Sequence, residues 1–170
     1  MADSPAPTHD IFLGGIARQL IARSFPRLKP LRLTISWGTD DGLLCYTATN
    51  GNPVIRVHEY LRPATKHVLV GGIAHELCHI DADFRLAPYQ RELAWTRYNT
   101  LRWCRIREER ATDLRVIQLG YGPNLLAFVR FARRLGYTFQ REHGLLYAEI
   151  SSCSRAGGIS GSGLTGEQRV

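Results

Sequence analysis

The spacing of apolar residues changes from helix-like to strand-like within the first 40 positions. Over residues 10–25 apolar side chains recur every three to four positions, which predicts an amphipathic helix that Pro26 ends. Over residues 31–37 apolar and polar residues alternate, which predicts a half-buried strand, and residues 38–42 supply turn chemistry. The chain therefore begins with a helix and then enters a sheet.

Two more strands are predicted directly after this turn, over residues 43–49 and 54–58. The Asn-Gly-Asn-Pro sequence at 50–53 separates them and is typical of a hairpin turn. Because all three strands are short and close in sequence, we predict a small, mostly antiparallel three-stranded sheet.

The remainder of the chain has helical spacing. Residues 64–83 contain no proline inside an apolar helical pattern, residues 91–119 read as one long helix, and Pro123 opens a helix that Gly136 ends. A few strands followed by a run of helices indicates the α+β class. We predict that the sheet packs on the helix at 64–83.

The length of 170 residues fits one domain with a core of its own. Residues 1–9 are rich in proline and predict a loose N-terminal arm, residues 10–150 form the domain, and residues 151–170 predict a flexible tail rich in Gly and Ser. No apolar run is long enough to span a bilayer, and the N-terminus does not read as a signal peptide. We therefore expect a cytoplasmic protein without a membrane partner.

The charge and the cysteines narrow the classes of function only a little. The net charge of +7 comes almost entirely from arginine, and a basic surface attracts acidic partners or nucleic acid. The four cysteines form no C-x-x-C pair, so neither a zinc ribbon nor a secreted disulfide framework is indicated. Reduced thiols are expected.

The strongest chemical signal is His-Glu-Leu-Cys-His at positions 75–79, inside the predicted helix 64–83. Residues four apart on a helix share a face, so His75 and His79 can place imidazole nitrogens on one ion. Glu76 is rotated by about 100° from His75, where its carboxylate can reach a water bound to the metal. This pattern predicts one catalytic Zn²⁺ with Glu76 as the general base.

A catalytic zinc normally has three protein ligands, and two residues could supply the third. Asp83 shares the helical face of the histidines, but three positions along one straight helix would spread over about 12 Å. Glu109 lies on the next helix, and Asp113, four residues on, could hydrogen-bond the far nitrogen of a histidine ligand.

An H-E-x-x-H helix followed by a helix with E-x-x-x-D resembles the gluzincin metallopeptidases, in particular the M48-like branch and the single-domain minigluzincins. The resemblance implies a zincin-like fold in which His75, His79 and Glu109 bind zinc and Asp113 supports a ligand. Membrane-bound members of that branch usually have alanine where this chain has Thr112. In gluzincin-like folds the strand ahead of the active-site helix, here 54–58, offers a sheet edge to the peptide.

The function that this predicts is hydrolysis of peptide bonds in a peptide or protein substrate by a zinc-activated water. Four downstream residues are candidates for the donor to the oxyanion, and the choice among them stays open: Tyr121, Tyr137, His143 and Tyr147. The alternative is a catalytically silent zincin fold that acts as a basic binding or regulatory module on nucleic acid or an acidic protein partner. Cys78 is expected to be a buried thiol, and a thiolate of Cys153 that blocks the zinc is conceivable.

Overall fold

A computed structural model of the chain describes residues 8–39, 42–49, 51–138 and 143–158. One helix is followed by three consecutive strands and then by helices alone, which confirms the predicted α+β class. The elements are α1 (Thr8–Ser24), β1 (Thr34–Gly38), β2 (Leu44–Thr49), β3 (Asn52–His58), α2 (Lys66–Asp83), α3 (Pro88–Thr100), α4 (Arg102–Val116), α5 (Gly122–Arg134) and α6 (Tyr147–Gly158).

The sheet has the strand order β1-β3-β2, so the last strand in the chain lies in the centre. β2 and β3 form an antiparallel hairpin in which Thr49 pairs with Asn52, whereas β1 pairs with β3 in parallel. The prediction of a mostly antiparallel sheet is therefore wrong, because one of the two pairings is parallel. Chain neighbours usually pair, but here the segment after β1 leads to the far edge and β3 returns between the two strands.

This order also corrects the predicted peptide-binding edge. β3 is bonded on both sides, since Ile55 pairs with Ile35 of β1 and with Tyr46 of β2. The edge strand that lies beside the helix α2 is β2, and among the described residues no further strand covers its outer side.

The centre of the fold is α2, which packs against α5, α1, α4 and the sheet. Most of its apolar side chains are fully buried, including Leu69, Ile73 and Leu77. A methyl group on Gly71 would collide with the backbone of α5, where the Leu125 nitrogen would lie at 2.8 Å. Gly71 therefore allows the close packing of α2 on α5.

The predicted helix at 91–119 is wrong as one unit, because the chain breaks at Leu101. This residue is extended, with φ −111° and ψ 104°, and it ends α3 and begins α4. The Leu101 nitrogen bonds to the Arg97 carbonyl, and the Leu101 carbonyl accepts from Cys104 at 2.9 Å. Every residue of α3 is described and none is buried, so α3 folds back on α4 as an outer layer.

The two ends of the chain are more helical than the sequence suggested. α1 already includes residues 8 and 9 of the predicted arm, and residues 1–7 lie outside the described part. α6 includes residues 151–158 of the predicted tail and buries Ile150 in the core. The remaining residues, 159–170, are outside the described part as well. None of the described helices has the length and apolar character that crossing a bilayer requires.

Candidate metal centre

Three side chains from two helices converge at one point of the structure. His75 and His79 lie one turn apart on α2, and Glu109 approaches them from α4. His75 Nε2 is 3.2 Å from Glu109 Oε2, and His79 Nε2 is 3.5 Å from Glu109 Oε1. One ligand atom from each residue lies within 4.8 Å of the others. This partly buried group could hold a metal ion.

A fourth residue fixes the orientation of His75. Asp113 is 3% exposed, its Oδ1 is 2.8 Å from His75 Nδ1, and its Oδ2 accepts from the Leu145 nitrogen at 2.7 Å. Because the carboxylate accepts, Nδ1 of His75 carries the hydrogen and Nε2 presents its lone pair to the cluster. Gly144 allows this approach, since it has a φ of 114° and a side chain there would meet the Asp113 carboxylate.

The donor atoms fit a cation. His75 Nε2 and His79 Nε2 are 3.1 Å apart and both face the Glu109 carboxylate, so several lone pairs point at one place. A proton or a metal ion among them is needed to balance these charges. Two imidazole nitrogens and one carboxylate oxygen are ligands that zinc accepts, and three protein ligands leave a position for water.

The pKa shifts of His75 and Glu109 show that this cluster of side chains favours a positive charge. Burial alone would lower the pKa of His75, but hydrogen bonds to Asp113 and Glu109 raise it well above its usual value. Burial would raise the pKa of Glu109, and hydrogen bonds from His75 and His79 reverse this and lower it. A proton and a metal ion therefore compete for the same lone pairs.

Glu76 faces the cleft beside this group and is not one of the three candidate ligands. Its side chain is buried, and burial raises the pKa of its carboxyl group. The two histidines and a backbone hydrogen bond from Tyr46 oppose that shift. A carboxylate with a raised pKa is a better proton acceptor near neutral pH than an exposed one.

Asp83, the other candidate for the third ligand, has a different partner. It accepts a hydrogen bond from the hydroxyl of Tyr46, whose pKa is raised to about 12 by burial and by the charge of Asp83. The clustered donor group does not include Asp83. The structure thus brings Glu109, and not Asp83, to the two histidines.

Two contacts of the centre were not predicted. The Tyr98 hydroxyl on α3 donates to Glu109 Oε1, and Thr112 Oγ1 is 3.4 Å from His79 Nδ1. On one continuous helix Tyr98 and Glu109 would be about 16 Å apart along the axis, so only the break at Leu101 lets them meet. The sequence showed Thr112 only as a difference from the usual alanine, and no role was predicted for it.

The centre opens into a cleft of about 1520 Å³ between β2 on one side and α3 on the other. Two of the four candidate oxyanion donors, Tyr137 and His143, line this cleft. The Tyr121 hydroxyl instead bonds to Ser24 Oγ at 2.8 Å, and the Tyr147 hydroxyl accepts from Arg130 at 2.6 Å in a separate groove. Tyr121 and Tyr147 are therefore engaged elsewhere.

The cysteines take no part in the group. None of the four forms a disulfide in the described part of the chain, and Cys78 is a buried thiol whose pKa burial raises to about 12, as expected for a residue that packs in the core. Cys153 lies on α6 and is also outside the clustered donors.

Comparison with known proteins assigns no family to this chain. Neither the protein-family models, nor the curated proteins, nor the solved structures contain a match to this chain. The interpretation of the centre therefore rests on its own geometry.

Proposed function

We propose that the chain is a zinc-dependent metallopeptidase of the gluzincin type with a zincin-like fold. One Zn²⁺ would be held by His75, His79 and Glu109. The observation that carries the proposal is the convergence of these three ligands, with Asp113 bonded to the far nitrogen of His75. Such an outer contact is typical of histidines that bind metals.

Glu76 is the residue that favours a hydrolytic zinc centre. Two histidines and one carboxylate also bind ferrous iron in oxygenases, so the ligands alone leave the choice of metal open. A buried carboxylate next to the first histidine has a clear use in a hydrolase, because it can accept a proton from the attacking water. The H-E-x-x-H spacing on α2 combines both features.

In this mechanism each described residue has a distinct task. A bound zinc ion would lower the pKa of water and polarise the scissile carbonyl group. Glu76 removes the proton from the water and then gives it to the leaving amine. Asp113 keeps His75 in the tautomer that presents Nε2, and Tyr137 and His143, which line the cleft, are the candidates to donate to the oxyanion.

The outer edge of β2, which no described strand covers, supplies a place for the substrate backbone. Residues 44–48 of this strand line the cleft, and β3 occupies only its inner side. An extended peptide could add to the outer side by backbone hydrogen bonds, and this would lay it across the metal centre. The substrate is accordingly a peptide or an unfolded segment of a protein.

A second function has one observation in its favour. Arg130, Arg133 and Arg134 are exposed on α5 and border a groove whose described lining contains no carboxylate. Together with the net charge of +7, this surface suits a basic module that binds nucleic acid or an acidic protein. Such a module has no need for Glu76 beside two metal ligands.

The test compares wild type, Glu76→Gln and Glu92→Gln in two assays, zinc content and cleavage of unfolded casein. Glu92 also lines the cleft but is exposed on α3, which makes it a matched control. We expect about one zinc per chain in all three proteins, with cleavage lost only in Glu76→Gln. Cleavage that survives Glu76→Gln would remove the proposed base, and a wild type that binds zinc without cleaving would favour the basic module.

A further inference from the structure

The helix α3 forms a wall of the cleft without being anchored in the core. None of its thirteen residues is buried, although all of them are described, and Tyr89 and Trp95 are each 70% exposed. Extended residues flank it at both ends, Ala87 with ψ 155° and Leu101 with ψ 104°. Most helices in proteins are stabilised by packing of an apolar face, and a helix of this length is marginal without such packing.

One side chain of α3 reaches the metal centre. The Tyr98 hydroxyl donates to Glu109 Oε1, and its ring lies edge-on to His79 with 6.5 Å between the ring centroids. In the described part of the chain, the other side-chain hydrogen bonds of α3 go to its own backbone or to Leu86 and Ala87. The polar connection between α3 and the centre is therefore Tyr98.

The two oxygens of Glu109 have different neighbours. Oε2 lies 3.2 Å from His75 Nε2, whereas Oε1 accepts from Tyr98 and lies 3.5 Å from His79 Nε2. A carboxylate on a flexible side chain can rotate, and a hydrogen bond to one oxygen fixes the direction in which the other points. Tyr98 thus holds Glu109 in the orientation that a metal ligand needs.

We propose that Tyr98 is a positioning residue for Glu109 and that it couples the docking of α3 to occupation of the metal centre. The proposal rests on the metal centre proposed above. Because coupling between two equilibria is reciprocal, a bound metal that holds Glu109 in place also favours the docked position of α3. The metal would then control one wall of the substrate cleft as well as the chemistry.

Amide hydrogen exchange over residues 88–100 tests the coupling, with and without Zn²⁺, in wild type, Tyr98→Phe and Tyr89→Phe. Tyr89 is the control, since it lies on the same helix and makes no side-chain hydrogen bond to any described residue. We expect zinc to slow exchange of α3 in wild type and in Tyr89→Phe. In Tyr98→Phe most of this slowing should disappear, and zinc should bind about 10- to 100-fold more weakly in a competition titration with a chelator.

The outcomes separate this inference from the proposed function. If wild type binds no zinc, the metal centre itself is wrong. If wild type binds zinc but Tyr98→Phe keeps the same affinity, or keeps the zinc-dependent slowing of α3, the role of Tyr98 is overturned. Exchange of the α2 amides should be equal in the three apoproteins, and this verifies that Tyr98→Phe folds. The Co²⁺ absorption spectrum should change in Tyr98→Phe alone, because it reports ligand geometry at the ion.

Discussion

The helices α2 and α3 both contact the metal centre, but they are held in the molecule in opposite ways. α2 buries most of its apolar residues between the sheet and α5, and it supplies His75 and His79. α3 buries none of its residues and contributes Tyr98, which reaches the centre through Glu109. The two proposed histidine ligands therefore lie on the deeply packed helix, and the hydrogen bond that reaches Glu109 comes from a helix without buried residues.

The difference has a physical cause in how each helix is stabilised. Each fully buried leucine or isoleucine of α2 contributes about 1.5–3 kcal/mol through removal of apolar surface from water. An exposed residue of α3 contributes little of this kind, so its helix depends on the contact with α4 and on Tyr98. Elements of low local stability are those that open first and move on binding.

We expect the largest effect, on zinc content, from substitution of a proposed metal ligand. Glu109→Gln removes the charged ligand, and we expect zinc content after gel filtration to fall from about one ion per chain to near zero. Asp83→Asn should leave the zinc content unchanged, because Asp83 is bonded to Tyr46 and lies outside the donor group. Loss of zinc with Asp83→Asn alone would exchange the roles of these two residues.

Matched leucine variants measure the contrast between the two helices directly. Leu77 on α2 is fully buried and Leu93 on α3 is 48% exposed. Leu77→Ala should lower the free energy of unfolding by about 2–5 kcal/mol, the usual cost of a cavity in a core. Leu93→Ala should change it by less than about 0.5 kcal/mol. Urea unfolding provides both values, and equal losses would show that α3 is anchored like α2.

Loss of the hydrogen bond from His75 to Asp113 should have an intermediate effect on zinc affinity. Asp113 accepts from both His75 and the Leu145 nitrogen, and an asparagine has one acceptor oxygen where the aspartate has two. Asp113→Asn leaves one buried N–H group unpaired, so we expect zinc affinity to fall about 10- to 100-fold. A chelator competition titration measures it, and an unchanged affinity would mean that Asp113 does not orient the ligand.

The last prediction concerns the packing of α2 on α5. Gly71→Ala should destabilise the fold by about 1–3 kcal/mol through overpacking, even though alanine is the better helix former by about 1 kcal/mol. Gly15 on α1 has no neighbouring atom within 4 Å of an added methyl group, so Gly15→Ala should raise stability by up to about 1 kcal/mol. A gain in thermal stability from Gly71→Ala would contradict the close contact.

What could be predicted from the sequence was the local part of the centre. The spacing of His75 and His79, and of Glu109 and Asp113, is a property of single helices, and the structure brings all four together. The break at Leu101 contains no proline or glycine, so the sequence did not predict it. The contact from Tyr98 depends on this break and was therefore not predicted either. The parallel pairing of β1 with β3 depends on how distant segments pack, which periodicity does not record.

The close contact at Gly71 adds one glycine to the sequence pattern of the proposed metal ligands. The backbone of α5 lies against this glycine, so no change of neighbouring rotamers can make room for a side chain. Any relative that keeps the crossing of α2 and α5 should therefore retain glycine four positions before the first histidine. Homologues too diverged for ordinary similarity could be sought with G-x-x-x-H-E-x-x-H on one helix, followed by E-x-x-x-D on another.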